Sequence, residues 1–92
     1  MKLTEMETIF LKAIPKSNFG DGSDTYDGIW VWSVTDEITE YSAAQARGVI
    51  SSLVKKDLIY IVDNEGNGKA KDMWLAGTEA GNKIINNLKP KS

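Results

Sequence analysis

Ser42-Ala43-Ala44-Gln45-Ala46-Arg47-Gly48-Val49-Ile50-Ser51-Ser52-Leu53-Val54-Lys55-Lys56-Asp57-Leu58-Ile59 is the stretch on which the fold turns. Serine followed three residues later by glutamine is a capping box, so a helix is expected from Ser42 to about Lys56. At 100° per residue, Ala46, Ile50 and Leu53 fall on one side, flanked by Val49 and Val54. The other side holds Ala44, Gly48, Ser51, Ser52 and Lys55, with Gln45 and Arg47 on its margins. That outward side is small and polar. Beyond the helix, Leu58 to Val62 reads as a strand, Asp63-Asn64-Glu65-Gly66-Asn67-Gly68 as a turn, and Lys69 to Leu75 as the returning strand of a hairpin.

Towards the N-terminus, Thr4-Glu5-Met6-Glu7 is a second capping box. Met6, Ile9, Phe10, Ala13 and Ile14 follow at helical spacing, and Pro15 closes the segment. Ser17 to Gly28 is a loop rich in Gly, Asp and Ser. Ile29-Trp30-Val31-Trp32 is expected to be a strand, because β-branched and aromatic residues favour pleated backbone. Ser33 or Thr35 then caps a short helix through about Glu40, with Ile38 inward and Tyr41 in the following turn. On such a strand Trp30 and Trp32 share one face, and Trp74 meets them across the sheet. The three form either a core cluster or a partly exposed patch for a partner. Near the C-terminus Thr78 caps a last helix whose Ala80, Ile84 and Leu88 recur every fourth residue. Lys89 to Ser92 is a basic tail.

Ninety-two residues suffice for one domain and not two. With 41% hydrophobic and 26% charged residues, the chain can bury a core, which excludes a disordered polar tail. No apolar run approaches membrane-spanning length, so no membrane partner is expected. The absence of cysteine removes thiol nucleophiles, disulfides and zinc-thiolate sites, and fits a cytoplasmic protein. The absence of histidine removes the usual general base. Neither an enzyme nor a cofactor is expected. Asp21, Asp24 and Asp27 do not have the spacing of a calcium loop. The 63–68 turn carries oxygens at its first, third and fifth positions, but Trp74 stands where the bidentate glutamate belongs. Asp36, Glu37 and Glu40 read as a solvated face. Residues 1–41 carry three lysines against eight acids, a net of −5, and residues 42–92 carry eight bases against five acids, a net of +3. Halves that differ by eight charges give a dipolar field if they occupy different faces.

The order helix, strand, short helix, capped helix, hairpin, helix resembles a winged helix-turn-helix, and residues 42–59 are similar to the DNA-binding unit of MarR-type and related small regulators. Thr78-Glu79-Ala80-Gly81 likewise resembles the Leu-Thr-x-x-Gly motif that follows the wing, with Gly77 in the leucine's place. Asp57 stands where that family has a glycine. The resemblance implies an α+β domain of three to four helices with a small three-stranded antiparallel sheet. Its core would span about residues 4–88, its recognition helix about 42–56 and its wing about 63–72. It implies double-stranded DNA as partner, with Ser42, Gln45, Arg47, Gly48, Ser51, Ser52, Lys55 and Lys56 on the recognition helix and Lys69 and Lys71 on the wing. Gln45 would pair with adenine and Arg47 with guanine. The family's wing carries arginine near its tip, whereas this tip holds Asp63 and Glu65. A palindromic DNA site would need a homodimer, for which helix 78–88 is the candidate interface. The alternative is a protein-interaction module or inhibitor acting through Asp21, Asp24, Tyr26, Asp27, Trp30 and Trp32, since winged helices also bind proteins.

Overall fold

Two capping boxes open two of the helices. A computed structural model describes residues 3–16, 28–63, 66 and 72–88. Among them are α1 (Glu5–Ala13), which runs on into a 3-10 turn (Ile14–Lys16), β1 (Ile29–Trp30), α2 (Val31–Asp36), α3 (Ala43–Lys55), β2 (Ile59–Asp63), β3 (Met73–Gly77) and α4 (Glu79–Leu88). The Thr4 hydroxyl accepts from the Glu7 amide at 3.1 Å, and the Glu7 carboxylate accepts from the Thr4 amide at 2.8 Å. Ser42 and Gln45 repeat this exchange at the start of α3, at 3.3 and 2.9 Å.

The sheet is antiparallel with order β1-β3-β2. Ile29, Leu75 and Ile61 lie side by side in the register, as do Trp30, Trp74 and Val62. The first row faces the core: Ile29 and Leu75 are buried, together with Phe10, Leu11 and Ile14 of the first segment, Val31 and Val34 of α2, Leu53 of α3, Leu58, Ile59 and Ile85. Four helices with a three-stranded antiparallel sheet make an α+β domain, in an arrangement consistent with a winged helix.

The strand expected over 29–32 stops at Trp30, and the chain turns at once into α2. Val31, Val34 and Ile38 are spaced i, i+3, i+7, and all three are buried. Burying that helical row outweighs the weak strand preference of a four-residue run. Trp30 therefore pairs across the sheet with Trp74, whereas Trp32 sits on α2 and is 36% exposed, so the two do not share a strand face. None of the three tryptophans belongs to the buried core. The helix is capped by neither Ser33 nor Thr35: its N-cap is Trp30, with no side-chain bond, and it ends at Asp36 rather than near Glu40.

The hairpin forms: β2 begins at Ile59 rather than Leu58, and β3 runs from Met73 to Gly77, two residues past the expected end at Leu75, while Lys69 to Lys71 of the expected strand lie outside the described residues. Leu58 belongs to the close of α3. Asp57 has φ 59°. Its amide donates to the Val54 carbonyl at 3.0 Å, and the Leu58 amide donates to the Leu53 carbonyl at 3.1 Å. This is a Schellman motif, with aspartate in the left-handed position usually held by glycine.

That turn also seats α4. The Thr78 hydroxyl donates to the Asp57 carbonyl at 2.6 Å and accepts from the Gly81 amide at 3.1 Å, while the Thr78 amide donates to the Leu58 carbonyl at 3.0 Å. A Cβ at Gly81 would collide with the Leu58 carbonyl oxygen. Because Gly81 makes the closest approach, the buried row of α4 is Gly81 and Ile85, with Ile84 and Leu88 half-buried. The expected stripe fails at Ala80, which is exposed. A repeat of four also drifts about 40° per step on a 3.6-residue helix, so it does not hold one face.

A left-handed Asp57 carries a conformational cost that glycine would avoid. Asp57→Gly is expected to stabilise the domain by about 0.5–1 kcal/mol, since both hydrogen bonds of the motif join backbone groups. Urea denaturation would show a higher midpoint with an unchanged slope. An unchanged or lower midpoint would show that the Asp57 side chain itself contributes to the turn.

Candidate nucleic-acid interface on helix α3

The orientation of α3 rests on one buried acid. Glu7 of α1 is 1% exposed. One of its oxygens accepts from the Lys56 ammonium at 2.6 Å and from the Thr4 amide at 2.8 Å; the other accepts from the Ser52 hydroxyl at 2.6 Å. Burial pushes the Glu7 carboxyl up. The bonds from Lys56, Ser52 and Thr4 outweigh it and hold the group at about 2. A second tie lies at the other end of α3, where the Tyr41 hydroxyl donates to the Met6 carbonyl at 3.1 Å. Burial, with Glu40 beside it, raises that phenol to about 12, so it stays a donor at any ordinary pH.

The clamp redistributes the residues expected on the DNA-facing side. Ser52 and Lys56 point towards α1 and are bonded to Glu7, so the structure takes both off the outward face. Ser42 and Gln45 are exposed but held in the capping box. The Gln45 carbonyl oxygen accepts from the Ser42 amide at 2.9 Å and from the Ser42 hydroxyl at 3.4 Å. Pairing with adenine requires that oxygen as an acceptor, and the structure has already committed it. Arg47, Gly48, Ser51 and Lys55 are exposed as expected. Val54, expected at the flank of the inward side, is 41% exposed instead.

Arg47, Ser51 and Lys55 are spaced i, i+4, i+8, which strings them along the helix over about 12 Å while turning about 80° around it. Beside them Ala44 and Gly48 form a strip with almost no side-chain bulk, and a Cβ at Gly48 would meet nothing within 4 Å. From Ala43 to Lys55 the helix contains no acidic residue. Among the described residues, neither Arg47 nor Lys55 is in an ion pair. The arrangement is a slanted row of cationic and hydroxyl donors on a low-relief surface.

Lys69 and Lys71, with Asp21, Asp24, Tyr26 and Asp27, lie outside the described residues. Trp30 and Trp74 are half-buried, and Tyr60 on β2 is 47% exposed. The outward side of α4, expected to meet a second copy, carries Glu79, Ala80, Lys83 and Asn87, with an exposed Lys83–Glu79 pair at 3.9 Å. Its large apolar residues, Ile84, Ile85 and Leu88, are turned inward. Among the described residues, no three acids converge to hold a metal ion, and no helix is long and apolar enough to cross a membrane.

The reading of the sequence missed Thr4, Glu7 and Tyr41 as groups that position α3. Glu7 was legible as a capping residue, but nothing local signals a partner 49 positions away. Comparison with known proteins finds no family model, no curated relative and no solved structure that matches the chain.

Removing Lys56 would leave the Glu7 carboxylate buried without its counter-charge. Lys56→Met is expected to cost about 2–3 kcal/mol, and Glu7→Leu with Lys56→Met to recover much of that. Because the Glu7 value is lowered on folding, its contribution is complete above the unfolded value of 4.5 and is lost as pH falls towards about 2. Acid titrations of the wild type and the double variant, followed by circular dichroism, would separate in that window. Superimposable acid limbs would show that the clamp adds no stability.

Proposed function

We propose that this protein is a small winged-helix DNA-binding protein, acting as a transcriptional regulator through α3 in the major groove. One observation carries the proposal: Arg47, Ser51 and Lys55 form an exposed row on an acid-free helix whose orientation is fixed by the buried Glu7. A recognition helix needs base-reaching side chains towards its N-terminal half, phosphate-reaching cations beside them, and little bulk to hold it away from the groove. Arg47, Lys55 and the Ala44–Gly48 strip supply these in turn. The short cation list implies weak binding at physiological salt. Arg47 and Lys55, two cations brought into the DNA's counterion atmosphere, give a loss of about tenfold between 50 and 200 mM salt.

The test is a titration of a labelled duplex of random sequence at both salt concentrations. Wild type is expected to bind at 50 mM and to weaken by about tenfold at 200 mM. Arg47→Ala and Lys55→Ala should each weaken binding several-fold, with unchanged circular dichroism and melting, since both side chains are exposed. Unchanged affinity in both variants would remove α3 from the interface.

A second reading is a protein-interaction module. It is favoured by the exposure of Trp32 and Tyr60, since large aromatic side chains are enriched at protein interfaces. Absence of duplex binding even at 50 mM salt would turn the search to a protein partner, with Trp32→Ala and Tyr60→Ala as the variants expected to lose it.

A further inference from the structure

We infer that α3 recognises acceptor-bearing base edges in the major groove, above all the N7 and O6 of guanine, and does not read adenine or cytosine through their amino groups. The inference rests on the reading of α3 as the DNA-contacting helix and goes beyond it by naming the base chemistry.

It follows from an inventory of what the outward face offers. Arg47 and Lys55 carry only donors. Gln45 would supply one donor and one acceptor, but its carbonyl oxygen already receives the Ser42 amide and hydroxyl, so its NH2 group is the end left for a ligand. The Ser42 hydroxyl is held in the same cap, and the Ser52 hydroxyl donates to Glu7. Ala44 and Gly48 have no polar side-chain atoms. Ser51 is the one outward side chain on α3 that still offers an open acceptor. The nearest acids in sequence, Glu40 and Asp57, lie beyond the two ends of the helix.

Base edges sort by the same inventory. Guanine presents two acceptors to the major groove and thymine one; adenine sets its N7 acceptor beside an amino donor and cytosine presents an amino donor alone, so reading either of these in full needs a protein acceptor. A face of donors complements the first pair. Arg47 is placed for the two-acceptor edge, because its fork matches N7 and O6 together. It stands fifth in the helix, in the half that reaches base edges. The flat Ala44–Gly48 strip beside it lets the helix approach closely enough for a direct bond.

The experiment uses the full chain and a pool of duplexes, random over twelve central positions. Bound duplexes are recovered at 50 mM salt and sequenced. The selected sequence is then resynthesised with guanine, with 7-deazaguanine, or with hypoxanthine in guanine's place. 7-Deazaguanine lacks only the N7 acceptor; hypoxanthine keeps N7 and O6 and lacks the minor-groove amino group. The expected result is enrichment of guanine, a loss of roughly fivefold or more with 7-deazaguanine, and little change with hypoxanthine. Arg47→Ala should bind the guanine and 7-deazaguanine duplexes equally. Duplex binding without guanine enrichment, or with indifference to 7-deazaguanine, would overturn the inference and leave the DNA-binding reading standing. No duplex binding at 50 mM salt would overturn both.

Discussion

A carboxylate with 1% of its surface open to water must have its charge answered from within the protein. Glu7 has it answered by an ammonium, a hydroxyl and an amide, drawn from both α1 and α3. An apolar contact between two helices permits sliding and rolling at little cost. A charged group bonded at three points does not, because any shift of α3 along α1 lengthens a bond that nothing else replaces. The register between the two helices is therefore set chemically as well as sterically. Tyr41 fixes the entry to α3 against the same helix, and the Schellman turn at Asp57 fixes its exit. Through Thr78 and Gly81 that exit also determines where α4 begins.

Features written in adjacent residues were legible in the sequence. Both capping boxes formed at the residues read, because their partners lie three positions apart and need no tertiary context. Features that depend on distant partners were not. Ile29-Trp30-Val31-Trp32 has the composition of a strand, yet β3 offers it a two-residue ladder, while the core accepts Val31 and Val34 on a helical row. The face of α4 was misread for a similar reason: Gly81, the residue with no hydrophobic signal, is the one in closest contact. Asp57 was visible as a departure from a glycine pattern, but only the backbone angle shows that aspartate adopts the glycine conformation.

The candidate site divides along the same line. Arg47, Ser51 and Lys55 were legible from helical spacing alone, because exposure on an amphipathic helix follows from period. Ser52, read on the outward side, and Lys56, just past the last helical turn, were misassigned because both lie against α1. There a side chain's direction depends on what the neighbouring helix offers, and α1 offers a buried carboxylate. Gln45 is a subtler case. Its position was read correctly, and so was its capping role. The two readings conflict, since one amide oxygen cannot saturate the cap and accept from a base as well.

These allocations have a consequence for how the domain can recognise anything. The clamp and the cap together use one of the three cations between Arg47 and Lys56, two hydroxyls and an amide oxygen. Each is an ordinary requirement of folding: a buried acid needs a counter-charge, and a helix start needs its first amides satisfied. What remains outward is not a sample of the helix composition but its donors, filtered by the acceptors that the fold had to satisfy. In a small domain with few polar side chains per helix, structural demand thus shapes the polarity of the outward face. A larger domain could cap and clamp α3 from elsewhere and keep the face chemically mixed. Here the same thirteen-residue helix serves both ends, and its outward face carries what its own architecture leaves over.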